Sequence, residues 1–392
     1  MKVARVRTYA TYDEAVTEWR RNGIPEEYID RKRLFGRTIV FRDDLSPEDA
    51  EKLVSLAKAA GEDAFVCRKA KVPRVMVSCK PSFFDQVSVN EGELGVLGRP
   101  LAEAFRNFHS DYVQPLRLRK RELRFDRTLV MGILNVTPDS FSDGGLHRSV
   151  EEAVDHGLAM VDQGADIIDI GGESTRPGSS PTSFEQELAR VLPVIKGMAP
   201  SLSIPISIDT RHAEVARQAI ELGADIVNDV SGLGGTGMIG VLKDTGAAAI
   251  AMHMRGEPGD MQVNTVYDDI VGDIGGFLVS RIDEAAKAGV DPSRIAIDPG
   301  IGFGKNAKGN LDIIRRLREF RSYGRPILVG TSRKGFIGKI VGGTVDERLT
   351  GSLVSATAAI MNGANIVRAH DVVETVKMAR MADAIRLPNY KG

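Results

Sequence analysis

The stretch Ile297-Asp298-Pro299-Gly300-Ile301-Gly302-Phe303-Gly304-Lys305 puts an acid, a base and a glycine-rich turn side by side. A short apolar run, Ile295 to Ile297, ends in Asp298, and proline and glycine follow at once. That pattern predicts a buried strand that delivers a carboxylate to its C-terminal tip and then turns through a loop. The design recurs along the chain. Apolar runs lead into Asn135, Glu173, Asp209, Asn228-Asp229, His253, Ser332-Arg333-Lys334, and Arg368 with His370.

Two kinds of chemistry suit these residues. Asp209, Asn228 and Asp298 supply fixed acceptors and one amide, a set that fits a flat heterocycle with several N–H donors, such as a guanidine-like ring edge. Lys334 could hydrogen-bond a ring carbonyl or nitrogen on the other side. Arg368 and His370, with Asn135, suit a phosphate or diphosphate, with Mg2+ on the asparagine carbonyl. Plainer readings stay open. Asp209 could cap the helix that Thr210-Arg211 lead into, and Asn228 and Asp298 could serve turns. Lys334 with Arg333 could be a solvated pair, and Arg368 and His370 could pair with Asp371 or a helix C-terminus. His253, between Met252 and Met254, reads best as a satisfied structural histidine, and His156 and His212 as helix-surface residues. Joint occurrence at successive strand tips, rather than any one motif, favours a site.

The elements that must position these residues alternate regularly from Thr128 onward. Strands are expected at 128–136, 166–170, 205–208, 225–227, 248–252, 294–297, 326–329 and 365–367. Helices are expected at 150–162, 184–195, 212–222, 238–243, 266–288, 311–320, 347–361 and 373–385, with Gly275-Gly276 as a kink point in the long one. Eight strand–helix pairs in about 260 residues fit a (β/α)8 TIM barrel. The strands are short apolar runs, as parallel strands buried on both faces should be. A doubly wound open sheet is the runner-up, but no dinucleotide glycine turn follows the first strand. Residues 1–122 read as a smaller N-terminal α/β domain of unknown role, and 123–392 as the barrel. In the first part, 37–41, 64–67 and 75–79 read as strands and 12–21, 47–60 and 101–108 as helices. Ser46-Pro47-Glu48-Asp49 is a helix start, with a serine cap, proline in the first turn and acids at the positive end of the dipole. The basic run Arg117 to Arg124 reads as a solvated strand or linker, with an anionic-ligand or RNA contact as the alternative.

Composition narrows the class. The chain has 392 residues, 42% hydrophobic and 27% charged, with a formal net charge of −1. That balance argues against a nucleic-acid partner for the chain as a whole. The N-terminus has no apolar core and no long apolar run occurs, so neither a signal peptide nor a membrane span is expected. Two cysteines, Cys67 and Cys79, without metal-ligand spacing, point to a reducing, cytoplasmic setting.

Taken together, the motifs resemble those of dihydropteroate synthases. Gly132-Ile133-Leu134-Asn135-Val136-Thr137-Pro138-Asp139-Ser140-Phe141-Ser142-Asp143-Gly144-Gly145 is similar to the first family signature, and Asp169-Ile170-Gly171-Gly172-Glu173-Ser174-Thr175-Arg176-Pro177-Gly178 to the second. Ile208-Asp209-Thr210, Asn228-Asp229-Val230, Met252-His253-Met254, Asp298 to Lys305, Ser332-Arg333-Lys334 and Arg368 to Val372 follow in the family order. The resemblance runs from about Arg127 to the C-terminus and leaves residues 1–122 uncovered. It implies a transferase of folate biosynthesis that joins dihydropterin-methyl diphosphate to 4-aminobenzoate, with diphosphate as leaving group. By the same resemblance, Asp209, Asn228, Asp298 and Lys334 would bind the pterin. Asn135 would bind Mg2+, and Arg368 and His370 would hold the diphosphate, with Thr175 and Arg176 nearby. Phe141, Pro177, Ser332 and Lys334 would frame the 4-aminobenzoate, with Asp298, Asp209, Lys334, Arg368 and His370 carrying the chemistry. Family members are commonly homodimers through barrel helices. Ala369, where threonine is frequent, and Asn306-Ala307-Lys308-Gly309 depart from the pattern. Competing readings are a variant synthase with a ribosyl-phosphate aminobenzene acceptor, as in methanopterin pathways, a pterin-dependent corrinoid methyltransferase, and a non-enzymatic pterin binder.

Overall fold

The computed structural model describes residues 3–67, 73–136, 146–173, 182–256, 259 and 261–387. The chain divides into two compact units, Met1–Asp111 with Arg318–Gly324, and Tyr112–Leu317 with Arg325–Gly392.

The first unit contains β1 (Ala4–Arg7), α1 (Tyr12–Arg21), α2 (Arg31–Phe35), β2 (Thr38–Arg42), α3 (Pro47–Ala59), β3 (Asp63–Cys67), β4 (Arg74–Cys79), α4 (Pro81–Val89) and α5 (Glu93–His109). Its strands form an antiparallel sheet in the order β1-β2-β4-β3. Period-two alternation sorts the side chains between two cores. Val40, Val75 and Val77 pack with Leu53, Phe83 and Leu101 on one face. Ile39, Phe41 and Met76 pack with Trp19 on the other. Ser46 caps α3 as expected, accepting from the Asp49 amide at 3.1 Å.

Strand β1 and helices α2 and α4 have no counterpart among the expected elements, and α5 starts earlier than expected. Strand β1 carries Arg5 and Arg7, which look solvated but are buried. Arg5 Nη1 donates to Glu319 Oε2 at 2.6 Å and Arg7 Nη1 to Glu319 Oε1 at 2.9 Å, so one distant acid is shared by both arginines, and Glu14 and Glu18 also pair with Arg7. Helix α5 begins eight residues before the expected 101 because its first turns use glycines for close packing. A Cβ on Gly95 would lie 1.7 Å from the Asn90 carbonyl oxygen.

The second unit opens with a short hairpin, β5 (Leu116–Arg117) and β6 (Glu122–Leu123). The basic run is therefore neither linker nor bare strand. Leu116 and Leu118 are buried among Leu129, Ile226, Ala248 and Leu328 and close the N-terminal end of the barrel. The intervening arginines face outward, and Arg119 Nη1 donates to the carbonyl of Ile220 at 3.0 Å.

The barrel follows as β7 (Leu129–Asn135), α6 (Leu146–Asp162), β8 (Ile167–Gly171), α7 (Phe184–Met198), β9 (Ile206–Asp209), α8 (Ala213–Glu221), β10 (Ile226–Asp229), α9 (Met238–Thr245), β11 (Ala248–Met252), α10 (Ile270–Lys287), β12 (Ile295–Asp298), α11 (Ala307–Arg315), β13 (Leu328–Val329), α12 (Gly335–Val341), α13 (Leu349–Met361), β14 (Ile366–Ala369) and α14 (Val372–Arg386). Eight parallel strands run in the order β12-β11-β10-β9-β8-β7-β14-β13. A parallel bridge between Ile297 and Ile327 joins the two ends, with Ile297 N donating to Pro326 O at 2.9 Å. The sheet is a (β/α)8 barrel and not the open alternative.

Local details differ from expectation. Helix α10 starts at Ile270 rather than 266 and runs through Gly275-Gly276 as one helix. An extra helix, α12, follows the seventh strand. The departure at Asn306 is a helix cap, since its Oδ1 accepts from the Gly309 amide at 2.8 Å.

Candidate active site

Strand periodicity places the site. Leu129, Met131, Ile167, Ile226, Ala296 and Ile366 fill the apolar interior. Two residues further along their strands, on the same inward face, stand Asp169, Asn228, Asp298 and Arg368. Asp209 shares this C-terminal layer, paired in register with Gly171 on one side and Asn228 on the other. Asp298 lies opposite Met252. The barrel interior thus changes from hydrocarbon to charge in one step, at the end where loops build active sites.

Hydrogen bonds knit this layer together. Arg368 bridges two acids, with Nε 2.6 Å from Asp169 Oδ2 and Nη2 2.6 Å from Asp209 Oδ2. Asn228 Nδ2 donates to the same Asp169 oxygen at 3.0 Å. Asp169 is fully buried, and sequence reading passed over it because it sits inside a strand rather than at its tip. Asp298 Oδ1 accepts from Gly300 N at 2.7 Å. Lys334 caps the start of α12 and lays its ammonium over the Phe303 ring, 4.0 Å from the centroid.

Burial sets the electrostatics. It pushes the Asp298 carboxyl up to about 6, with the Gly300 amide and Lys334 opposing. It pushes Asp209 up to about 7 against the pull of Arg368. Burial and then Arg368 bring Lys334 down to about 8. Burial alone would lower Arg368, but Asp169 and Asp209 outweigh it and hold the guanidinium charged. Buried, mutually tuned groups of both signs gathered at the C-terminal end of a barrel mark a candidate functional site.

A second cluster supports the glycine loop from behind. Lys305 is buried, and its Nζ lies 3.0 Å from His253 Nδ1, 3.1 Å from His253 O and 2.7 Å from Phe303 O. Burial and the neighbouring ammonium take His253 down to about 2, so the ring stays neutral. The expected structural role of His253 matches this position, whereas the role of Lys305 had no signal in its spacing. The segment after β11 also ties onto the loop. Gln262 Nε2 donates to Gly302 O and Tyr267 Oη to Gly304 O, both at 2.9 Å.

The other expected residues fall as follows. Asn135 ends β7 opposite Gly171 and is half-buried. Ser332 Oγ lies 3.0 Å from His370 Nδ1 and accepts from the His370 amide at 3.2 Å, so these two stand together. Arg333 turns away to a bidentate pair with Asp371, which removes Asp371 as a partner for Arg368. Arg368 itself sits among the acids of the heterocycle side. Asp229 serves the turn after β10, accepting from Ser231 N and Leu233 N. His212 is no plain surface residue, since its Nδ1 lies 2.7 Å from the buried Glu187. Phe141, Thr175, Arg176 and Pro177 lie outside the described residues.

Comparison with known proteins identifies the family. Residues 131–370 match the family described as "Pterin binding enzyme". The dihydropteroate synthase of Escherichia coli K12 is 46% identical over 255 residues, which span 65% of this chain and 90% of that protein. A Xanthomonas albilineans dihydropteroate synthase structure with 4-aminobenzoic acid superposes with a TM-score of 0.66 at 43% identity, covering 70% of this chain and 99% of that one. A Burkholderia cenocepacia structure complexed with 7,8-dihydropteroate gives 0.65 at 41% identity, covering 71% and 98%. The chain belongs to the pterin-binding enzyme family and, within it, to the dihydropteroate synthases.

Proposed function

We propose that the charged layer of the barrel binds dihydropterin-methyl diphosphate and condenses it with 4-aminobenzoate, giving 7,8-dihydropteroate and diphosphate. The observation that carries this reading is the inward placement of Asp209, Asn228 and Asp298 on one level, with Arg368 bonded among them and Lys334 close enough to lower the Asp298 carboxyl. The acids accept from the ring N–H and amino donors of the pterin. The C–O bond to diphosphate breaks and its electron pair leaves with the diphosphate. The methylene carbon shares the resulting positive charge with the ring. Asp298 and Asp209, ionised above pH 7, stabilise that charge from fixed positions. The amine of 4-aminobenzoate then forms the C–N bond and gives its proton to diphosphate or water. The Ser332–His370 pair holds the leaving group, Arg368 adds positive charge to it from its place beside Asp169 and Asp209, and Lys334 orients the ring carbonyl.

Asn135 offers one hard oxygen at a strand tip, and no cluster of three or more acids or histidines suited to a metal occurs among the described residues. That donor set fits Mg2+, which takes few protein ligands and completes its shell with phosphate oxygens and water. Bound there, the ion would neutralise the leaving diphosphate. In this reading Thr175 and Arg176 stand near the diphosphate, and Phe141 and Pro177 frame the 4-aminobenzoate.

The protein acts as a homodimer in the cytoplasm. Exposed Val354 and Met361 on α13, with Met381 and Ile385 on α14, supply an apolar face on neighbouring helices that supports the dimer. Met381→Glu should halve the mass seen by sedimentation, and an unchanged mass would remove this interface. No described helix is long and apolar enough to cross a membrane.

The test of the reaction is diphosphate release with Mg2+ and either 4-aminobenzoate or its ribosyl-phosphate derivative. Release with plain 4-aminobenzoate, abolished by Asp298→Ala, is expected. Release only with the ribosylated amine would reassign the acceptor. Release with neither would overturn the synthase reading.

A further inference from the structure

Asp169 is a carboxylate without a part in the chemistry above. It is 0% exposed, it faces the barrel axis, and it lies next to the pterin-facing amide. Its Oδ2 takes two donors, Asn228 Nδ2 and Arg368 Nε. Its Oδ1 has no hydrogen-bond partner among the described residues.

The chemistry of the Asn228 amide follows from this contact. An amide has a donor end and an acceptor end, and nothing in its shape decides which faces a ligand. An ionised carboxylate can only accept. The NH2 of Asn228 therefore turns to Asp169, and its carbonyl oxygen is left for the pocket. The neighbouring Asp209 is likewise presented as an acceptor, with Arg368 tying it to Asp169. One buried acid thus fixes the polarity of the adjacent Asn228 amide.

We propose that Asp169 is a positioning residue that locks the Asn228 amide with its oxygen toward the ligand, and so makes the pocket select a pterin, with its 2-amino donor, over a 2-oxo analogue. The inference rests on the pterin reading of the site. A pocket that presents only acceptors along this edge leaves an acceptor unpaired when an oxo group replaces an amino group, and unpaired buried groups are what enzymes discriminate against.

The experiment is calorimetric titration of the full chain with 6-hydroxymethyl-7,8-dihydropterin and its 2-oxo counterpart. Wild-type protein should prefer the amino compound strongly. Asp169→Ala frees the Asn228 amide to turn, so the preference should fall about tenfold, the worth of one neutral hydrogen bond. Asp169→Asn can place its own carbonyl oxygen where Oδ2 stands. It should keep the preference within about twofold even while both ligands bind more weakly. A role in stability alone would weaken both ligands equally and leave the ratio unchanged in every variant, and that result overturns the proposal. Should the alanine variant fail to fold, Asp169→Ser carries the same test, because a hydroxyl can donate as well as accept and permits both amide orientations. Wild-type protein that binds neither compound and releases no diphosphate would remove the pterin reading itself, an outcome distinct from an unchanged ratio.

Discussion

The acids of this site destabilise the fold that holds them, and Asp298→Asn measures by how much. Burial raises the Asp298 carboxyl from its ordinary 3.8 to about 6. At about 1.36 kcal/mol per pH unit, the ionised group costs the folded state about 3 kcal/mol at pH 8. The sign follows from proton counts. Between pH 4 and 6 the folded state binds more protons at this position than the unfolded chain, so stability falls as pH rises through that window. The asparagine amide is isosteric, keeps an oxygen for the Gly300 amide and carries no charge. Asp298→Asn should therefore stabilise the ligand-free protein by about 3 kcal/mol at pH 8, by roughly half that at pH 5, and by well under about 1 kcal/mol at pH 4. For a barrel unit of this size the gain at pH 8 is roughly 5 °C in melting temperature. Scanning calorimetry of both proteins at these pH values is the assay, with loss of diphosphate release as the expected functional cost. A variant no more stable than wild type at pH 8, or one whose gain persists undiminished at pH 4, would refute the reasoning.

Further predictions rest on separate observations. Pterin affinity should peak between about pH 7 and 8. It should fall on the acid side as Asp209 and then Asp298 take up protons, and on the alkaline side as Lys334 loses its charge. A flat calorimetric profile from pH 5 to 9 would contradict this. Gly300→Ala should abolish pterin binding, because φ is +70° and the new Cβ would meet the His253 carbonyl oxygen at 2.0 Å. Gly61→Ala, also at positive φ but with open space around it, should cost only about 1–2 kcal/mol by thermal unfolding. Glu319→Ala leaves buried Arg5 and Arg7 without their shared acid and should cost about 3–5 kcal/mol. A cost below about 1 kcal/mol would show that the cluster is not held by charge. Because Arg318–Gly324 groups with the first unit, a chain beginning at Tyr112 should melt lower than the full protein.

The sequence by itself determined the barrel and the rim of its site. Parallel strands buried on both faces must read as short apolar runs, and catalytic side chains at their C-terminal tips must interrupt those runs with polar residues. Asp209, Asn228, Asp298, Lys334 and Arg368 were visible for that reason. Three things needed the tertiary structure. Asp169 lies within its strand and looks like one polar residue among isoleucines; only barrel closure brings Arg368 and Asn228 to it from distant strands. Lys305 looks like a solvated lysine after a glycine loop, yet that loop folds its ammonium inward onto the histidine of another strand. Strand β1 reads as charged and becomes buried because Glu319, from far along the chain, meets its arginines. In each case the deciding partner is remote in sequence. Local pattern reports how a residue meets the solvent on average, whereas the partner that neutralises a buried charge is chosen by how the chain closes.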